Sequence, residues 1–380
     1  MDPIRKGMER WMRRPGRGRS RALLLTVLAS VLAGGCGFQE PALQPITREP
    51  LTRVEIPPIH DRTASMDEMV VDPATQTLYV ADQTDPSSQG IDVFDISSPP
   101  GRYVKTIRTG ATFPNGMVLA ADVKRLYTGN DDGTVGVVDL DPTAPTYQTM
   151  VSSVTTGGRL ASDLITYDTR DHKIYVSNPD DGFLTAIDVR TNRIVGRVDG
   201  LGLIAQPRYD SADGMLYVGA VDDNLLFQID PRTDRVVQRR SFDVPCIPHG
   251  IAINPSTNQG IIGCADKDQP VTIAWDFKRF QPIRTFDLAG AGDLVVYEPS
   301  TDHFYFAASS YAPAEMAIFS GTPINYLTSV PTSHKSHVVA YDSVHRLIYT
   351  YDGRLREAGL WVFPDPTALC DAQLKHCRAS

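Results

Sequence analysis

From residue 51 to residue 364 the chain alternates apolar and polar positions in short runs, and Asp, Asn, Gly and Pro interrupt them. A period of two is that of half-buried strands. One unit recurs: an alternating strand, a turn opened by an acidic residue or Asn, then a strand led by an aromatic. Its copies read MVVDPATQTLYVAD (69–82), MVLAADVKRLYTGN (117–130), LITYDTRDHKIYVSN (164–178) and YDSADGMLYVGA (209–220). They continue as IAINPSTNQGIIGCAD (251–266), VVYEPSTDHFYFAAS (295–309) and VVAYDSVHRLIYTYD (338–352). Tyr79, Tyr127, Tyr175, Tyr217, Ile261, Tyr305 and Tyr349 hold equivalent places, spaced by 48, 48, 42, 44, 44 and 44 residues. Third strands close on an acidic residue in VFDI (93–96), GVVDL (136–140), TAIDV (185–189), FQID (227–230) and AWDF (274–277). Fourth strands follow, as in YVKTIRT (103–109) and RIVGRVDG (193–200). This is the spacing of propeller blades, and it predicts an all-β, seven-bladed β-propeller of four-stranded antiparallel blades.

The last copy lacks a fourth strand after GLWVF (359–363), whereas TRVEIP (52–57) resembles the fourth strands elsewhere. An open ring would expose two strand edges. The N-terminal strand at about 51–57 is therefore predicted to complete the last blade.

YVSN (175–178), YVAD (79–82) and YTGN (127–130), each followed by a V-x-x-D strand, resemble the YVTN-repeat propellers of the YncE-like and surface-layer types. The resemblance covers 51–364 and implies an extracytoplasmic seven-bladed propeller. It does not specify an activity, because one such scaffold carries lactonases, lyases, electron-transfer partners and plain binders. Ile261 in place of Tyr and Ser320 in place of the acidic cap depart from the pattern.

The first 35 residues read differently. Arg5, Lys6, Arg10, Arg13, Arg14, Arg17, Arg19 and Arg21 precede an apolar run, Ala22 to Ala33, too short for a comfortable bilayer span. The run ends Leu32-Ala33-Gly34-Gly35-Cys36, which resembles a bacterial lipobox and implies lipidation at Cys36, with 36–50 as a linker. Ala33 departs from the usual Leu and leaves ordinary cleavage near Gly35 open, and Arg13-Arg14 is a poor twin-arginine match. Gly37, rather than Asp, after the lipidated cysteine points to the outer membrane. The whole chain holds 37 Lys and Arg against 45 Asp and Glu; removing 1–35, with 8 and 2 of these, leaves 29 against 43, a net of −14. Such a surface repels phosphate backbones and argues against nucleic acid as a partner.

Besides Cys36 there are four cysteines, which allow three pairings. Cys246 lies in the loop before the fifth blade and Cys264 ends that blade's second strand, on the same face, so the register favours this pair. Cys370 and Cys377 then pair within the tail, 365–380. A thiol–metal site of Cys246, Cys264 and His249 is the alternative.

In a propeller the innermost strand of each blade starts at the mouth of the central channel. Counting five back from each turn-opening residue gives Asp67, Asn115, Asp163, Ala205, His249, Asp293 and His337, with Gln206 beside Ala205. Oxygen donors with an Asn suit Ca²⁺ or Mg²⁺, and two His with carboxylates suit Zn²⁺ or Mn²⁺. A lactonase-like hydrolase or lyase would use such an ion to polarise a carbonyl. A water-lined channel also explains polar residues there. His172, His303 and His345 fall in turns on the opposite face, while His60, His249, His334 and His337 fall near the mouth. The mouth-face loops NDDG (130–133), NPDDG (178–182), VDDN (221–224) and ADKD (265–268) are acidic and favour a cationic ligand. Trp275 and Trp361 read as core. No G-x-S-x-G elbow, P-loop, HExxH, haem-attachment or dinucleotide fingerprint is present. The expected function is a lipid-anchored propeller that binds a ligand or protein without chemistry of its own. The metal-dependent hydrolase is the first alternative and an accessory subunit of a periplasmic redox enzyme the second.

Overall fold

The computed structural model describes residues 52–56, 65–84, 89–333, 336–353 and 358–367. These form seven sheets of four antiparallel strands each, in chain order apart from the last. Their innermost strands are Met66–Asp72, Pro114–Ala120, Ile165–Asp168, Ile204–Asp210, Pro248–Asn254, Val295–Glu298 and Ala340–Asp342. The one helical element among the described residues is a 3₁₀ turn, Ala121–Val123. The seventh blade is completed from the other end of the chain. Thr52–Glu55 lies antiparallel to Gly359–Pro364, in the register Thr52 to Val362 through Glu55 to Gly359. The predicted closing strand is thus in place.

Burial explains why alternation is clear in some strands and lost in others. Second strands such as Thr77–Asp82 are buried at every position, because both faces of a blade are covered by its neighbours. The outer strand Thr149–Thr155 keeps the alternation, exposed and half-buried residues taking turns, whereas Arg235–Ser241 is exposed along almost its whole length.

The repeat's two hallmarks have separate causes. The acidic or Asn residue that opens the turn accepts a bond from the backbone N–H two residues on, as Asp72 does from Ala74 at 3.0 Å and Asn254 from Ser256 at 2.8 Å. Asp168, Asp210, Glu298 and Asp342 do the same. This local bond fixes the turn where Ala120 needs a 3₁₀ turn instead. Each turn then passes through one left-handed residue: Gln76, Lys124, His172, Gly214, Asn258, Asp302 and Arg346.

The repeated tyrosine ties one blade to the next. Tyr127 donates to the Val189 carbonyl at 3.0 Å, Tyr175 to that of Pro231 at 2.9 Å, and Tyr217 to that of Phe277 at 3.3 Å. Tyr305 donates to the buried Asp365 at 2.9 Å, and Tyr349 to the Pro100 carbonyl at 3.2 Å, which joins the seventh blade to the first. The rings are fully buried, so each hydroxyl needs such a partner. Ile261 has no hydroxyl, and that seam is bridged by Asn254 Nδ2, which donates to Asp302 Oδ1 at 2.9 Å. Ser320 replaces the acidic cap by accepting from Asn325 N at 3.1 Å.

Candidate functional site

The channel-mouth positions are re-aimed by the backbone. In the first, second, fourth and fifth blades the pairing of the inner strand with its neighbour slips between Met66 and Met69, Pro114 and Met117, Ile204 and Pro207, and Pro248 and Ile251. Residues 67–68, 115–116, 205–206 and 249–250 sit inside these bulges, which turn side chains out of the strand's ordinary alternation. In the other three blades the inner strand begins later, so Asp163, Asp293 and His337 lie just before it.

The predicted residues meet in separate groups. Gln83 Nε2 lies 2.8 Å from Asp67 Oδ2 and 2.6 Å from Asn115 Oδ1, bridging the first two blades. Asn115 Nδ2 donates to the Ser162 carbonyl at 2.7 Å. On its other side, Asp67 Oδ1 faces His337 Nε2 at 3.6 Å, and His337 Nδ1 lies 3.3 Å from the Tyr351 hydroxyl. His249 Nδ1 pairs with Asp293 Oδ1 at 3.0 Å. Gln206, almost fully buried, turns sideways and accepts from Ile251 N at 3.0 Å. Asp163 is seated by a glycine: a Cβ on Gly129 would stand 2.1 Å from the Asp163 carbonyl oxygen, so only glycine lets the two backbones approach this closely.

Two side chains at the mouth escape the five-residue count. Glu68, one place after Asp67, accepts from Met117 N at 2.6 Å. Its bond has the same form as that of Gln206, and both stand four residues before the turn-opening Asp, so the repeat register carried a signal for it. Arg208 stands two residues before the turn, where the other blades carry Val70, Val118, Thr166, Ala252, Val296 and Ala340. It donates from Nε to the Ile251 carbonyl at 2.8 Å. Gln83 had no such signal, because it follows the end of a second strand.

The electrostatics show that these groups share one space. Burial first, then the charges of Asp67, Asp293, Glu68 and Asp180, hold the Asp163 carboxyl well above the ordinary carboxylate range. Burial pushes Glu68 up to about 8, against the pull of the Met117 bond and the Arg208 charge. Burial also raises Asp293, but the charge and hydrogen bond of His249, with the charge of His337, outweigh it and hold that carboxyl low. Four carboxyl groups and two imidazoles therefore act on one another at the mouth, and burial makes each charge there costly.

Among the described residues no three His, Cys, Asp or Glu side chains are gathered to hold a metal ion. Cys246 and Cys264 are joined in a disulfide with Cα atoms 4.5 Å apart, so neither sulfur serves as a thiolate ligand. The donor set that a lactonase-like ion needs is not assembled in these groups. Cys36, Cys370, Cys377, His60 and His334 lie outside the described residues.

The opposite-face histidines are paired with neighbours. His345 Nδ1 lies 2.7 Å from Asp342 Oδ2, His172 Nδ1 lies 3.0 Å from Asp122 Oδ2, and His303 Nδ1 lies 3.2 Å from the Thr367 hydroxyl. Several acids of the mouth-face loops are committed to backbone N–H groups, two of them in a neighbouring loop. Asp131 accepts from Phe113 N at 2.9 Å, Asp181 from Arg159 N at 2.6 Å, and Asp266 from Asp268 N at 2.8 Å. Trp275 is fully buried, whereas Trp361 is only partly so.

No protein-family model and no curated protein matches the chain. Many solved chains resemble it in fold. One, from the crystal structure of a mitotic checkpoint complex, superposes with a TM-score of 0.65 at 16% identity, over 90% of this chain and 98% of that one. At that identity the likeness is one of architecture alone.

Proposed function

We propose that this protein is an exported binding module whose channel mouth takes a small organic cation without turning it over. One observation carries the reading: Asp67, Asp163, Asp293 and Glu68 act on one another at one mouth, where burial first and then the neighbouring carboxylates raise the Asp163 carboxyl well above its usual range. A bound ammonium would supply the missing positive charge in a site where low dielectric strengthens the attraction. Arg208 and Glu68 attract one another, which offsets part of the cost of burying each. Export is supported by the leader and by the Cys246–Cys264 bond, which fits an oxidising compartment. The YVTN-type repeat adds to this, and a lipid at Cys36 would supply the membrane attachment.

The test is thermal unfolding of the purified protein with a primary diamine, a quaternary ammonium salt and a dicarboxylate. A cation at a hundredfold excess over its Kd should stabilise by about 2.7 kcal/mol, while the dicarboxylate does nothing. Asp163→Asn should abolish the response. A flat response to every cation, or an undiminished one in Asp163→Asn, would sink the reading. Ca²⁺, Mg²⁺, Mn²⁺ and Zn²⁺ run alongside; stabilisation that a chelator reverses would restore a metal site in place of the organic cation.

A further inference from the structure

The outer strands of the third, fourth and fifth blades, Arg193–Val198, Arg235–Ser241 and Gln281–Phe286, form one stretch of the circumference. They expose apolar side chains, Val195 50%, Val237 55% and Ile283 48%. The fourth blade's outer strand carries Arg235, Arg239 and Arg240 and no acid, in a chain of net charge −8. Each of these strands is the last of its sheet, so one backbone edge has no strand beside it.

Between the fourth and fifth blades this surface dips into a groove of about 230 Å³, lined by Phe242, Val244, Ile273, Trp275, Pro282 and Ile283. That volume holds one large side chain and falls short of a whole small-molecule site. The Arg240 guanidinium lies 5.7 Å from the Trp275 ring, with Nη1 donating to the Phe280 carbonyl at 3.3 Å. Arg284 also lines the groove, its guanidinium 4.8 Å over the Phe286 ring. Acids nearby do not cancel this charge. Asp230 is paired with Arg232, Asp276 with Arg279, and Asp234 accepts from the Tyr175 hydroxyl at 2.6 Å, which leaves Asp243 on the wall and Asp287 past the strand end against Arg235, Arg240, Arg284 and Lys278. The Trp275 indole N–H is buried and finds no acceptor among the described residues.

We infer that this groove docks an extended, acidic segment of a partner protein, with one aromatic or large aliphatic side chain in the pocket and flanking carboxylates on the arginines. An extended segment matches the open strand edges, and its charge complements the arginines. The site is on the circumference, remote in kind from the channel mouth, and it stands independently of the cation reading.

The probe is a labelled peptide with one phenylalanine between two runs of aspartate, titrated into the full chain and followed by fluorescence anisotropy. Controls replace the phenylalanine by alanine or the aspartates by lysine. The acidic phenylalanine peptide should bind, weaken as salt rises, and quench or shift Trp275 emission in a background carrying Trp11→Phe and Trp361→Phe. Arg284→Glu and Ile283→Asp, both on exposed positions of the groove, should each weaken it at least tenfold; Arg240→Glu is compared with Arg240→Lys to separate charge from folding. Equal binding of the alanine peptide, or unchanged binding in Arg284→Glu and Ile283→Asp, would overturn the proposal. So would adsorption to anionic lipid vesicles, lost in Arg284→Glu, with no affinity for the peptide.

Discussion

At the scale of single residues, Glu68 and Gln206 are a natural comparison. Both accept from an inner-strand N–H of the next blade, one as a carboxylate and the other as a neutral amide. The folded protein prefers Glu68 protonated, with its pKa raised from 4.5 to about 8, chiefly by burial. A raised carboxyl binds its proton more tightly when folded, so its contribution is fully present below about 4.5 and is lost as pH rises through about 8. Glu68→Gln keeps an acceptor for Met117 and removes the titration. It should raise stability at pH 8 by about 1–3 kcal/mol, discounted for channel water, and leave it unchanged near pH 4. Denaturant melts at the two pH values check this; equal gains at both would mean that packing, not charge, is responsible. The repeat register contained the position of Glu68, but counting from the mouth alone passed over it. The bulge that brings residues 67 and 68 to the same mouth follows from backbone pairing and leaves no mark in side-chain periodicity.

At the scale of strands and turns, most of the molecule could be read from its residues. The turn-opening acid or Asn and the aromatic after it each have a local physical cause, and each recurs in six of the seven blades, with Ala120 and Ile261 as the exceptions. The closing strand was legible because one blade lacked its fourth strand and TRVEIP resembled the others. Val54 and Ile56 are almost fully buried there, so deleting 51–57 should remove about 3–6 kcal/mol of apolar burial, besides the ladder it breaks. A melting temperature unchanged by this deletion would contradict the pairing. Gln83 was not legible: its role depends on two blades being neighbours, and nothing in its own strand announces it. The same holds for Asn254, whose amide bridges the one seam where the tyrosine is missing.

At the scale of the whole molecule, the charge is divided. Carboxylates crowd the channel mouth, arginines gather on one stretch of circumference, and the balance is acidic. Two separate faces are thereby suited to partners of opposite sign. If Cys36 carries a lipid, Cys36→Ala should shift the protein from the membrane pellet to the soluble fraction of the expressing bacterium, with loss of fatty-acid labelling. Retention in the pellet would mean that something else holds it there.

The chain enters the folded ring through its outermost strand, Thr52–Glu55, directly hydrogen-bonded to Gly359–Pro364. Any pull on the upstream segment is therefore felt first by that pairing, before any blade interior. Mechanically the first event under tension is loss of this one strand, which leaves the seventh blade three-stranded with the Gly359–Pro364 edge bare, while the inner strands of the seventh and first blades stay packed at the channel mouth.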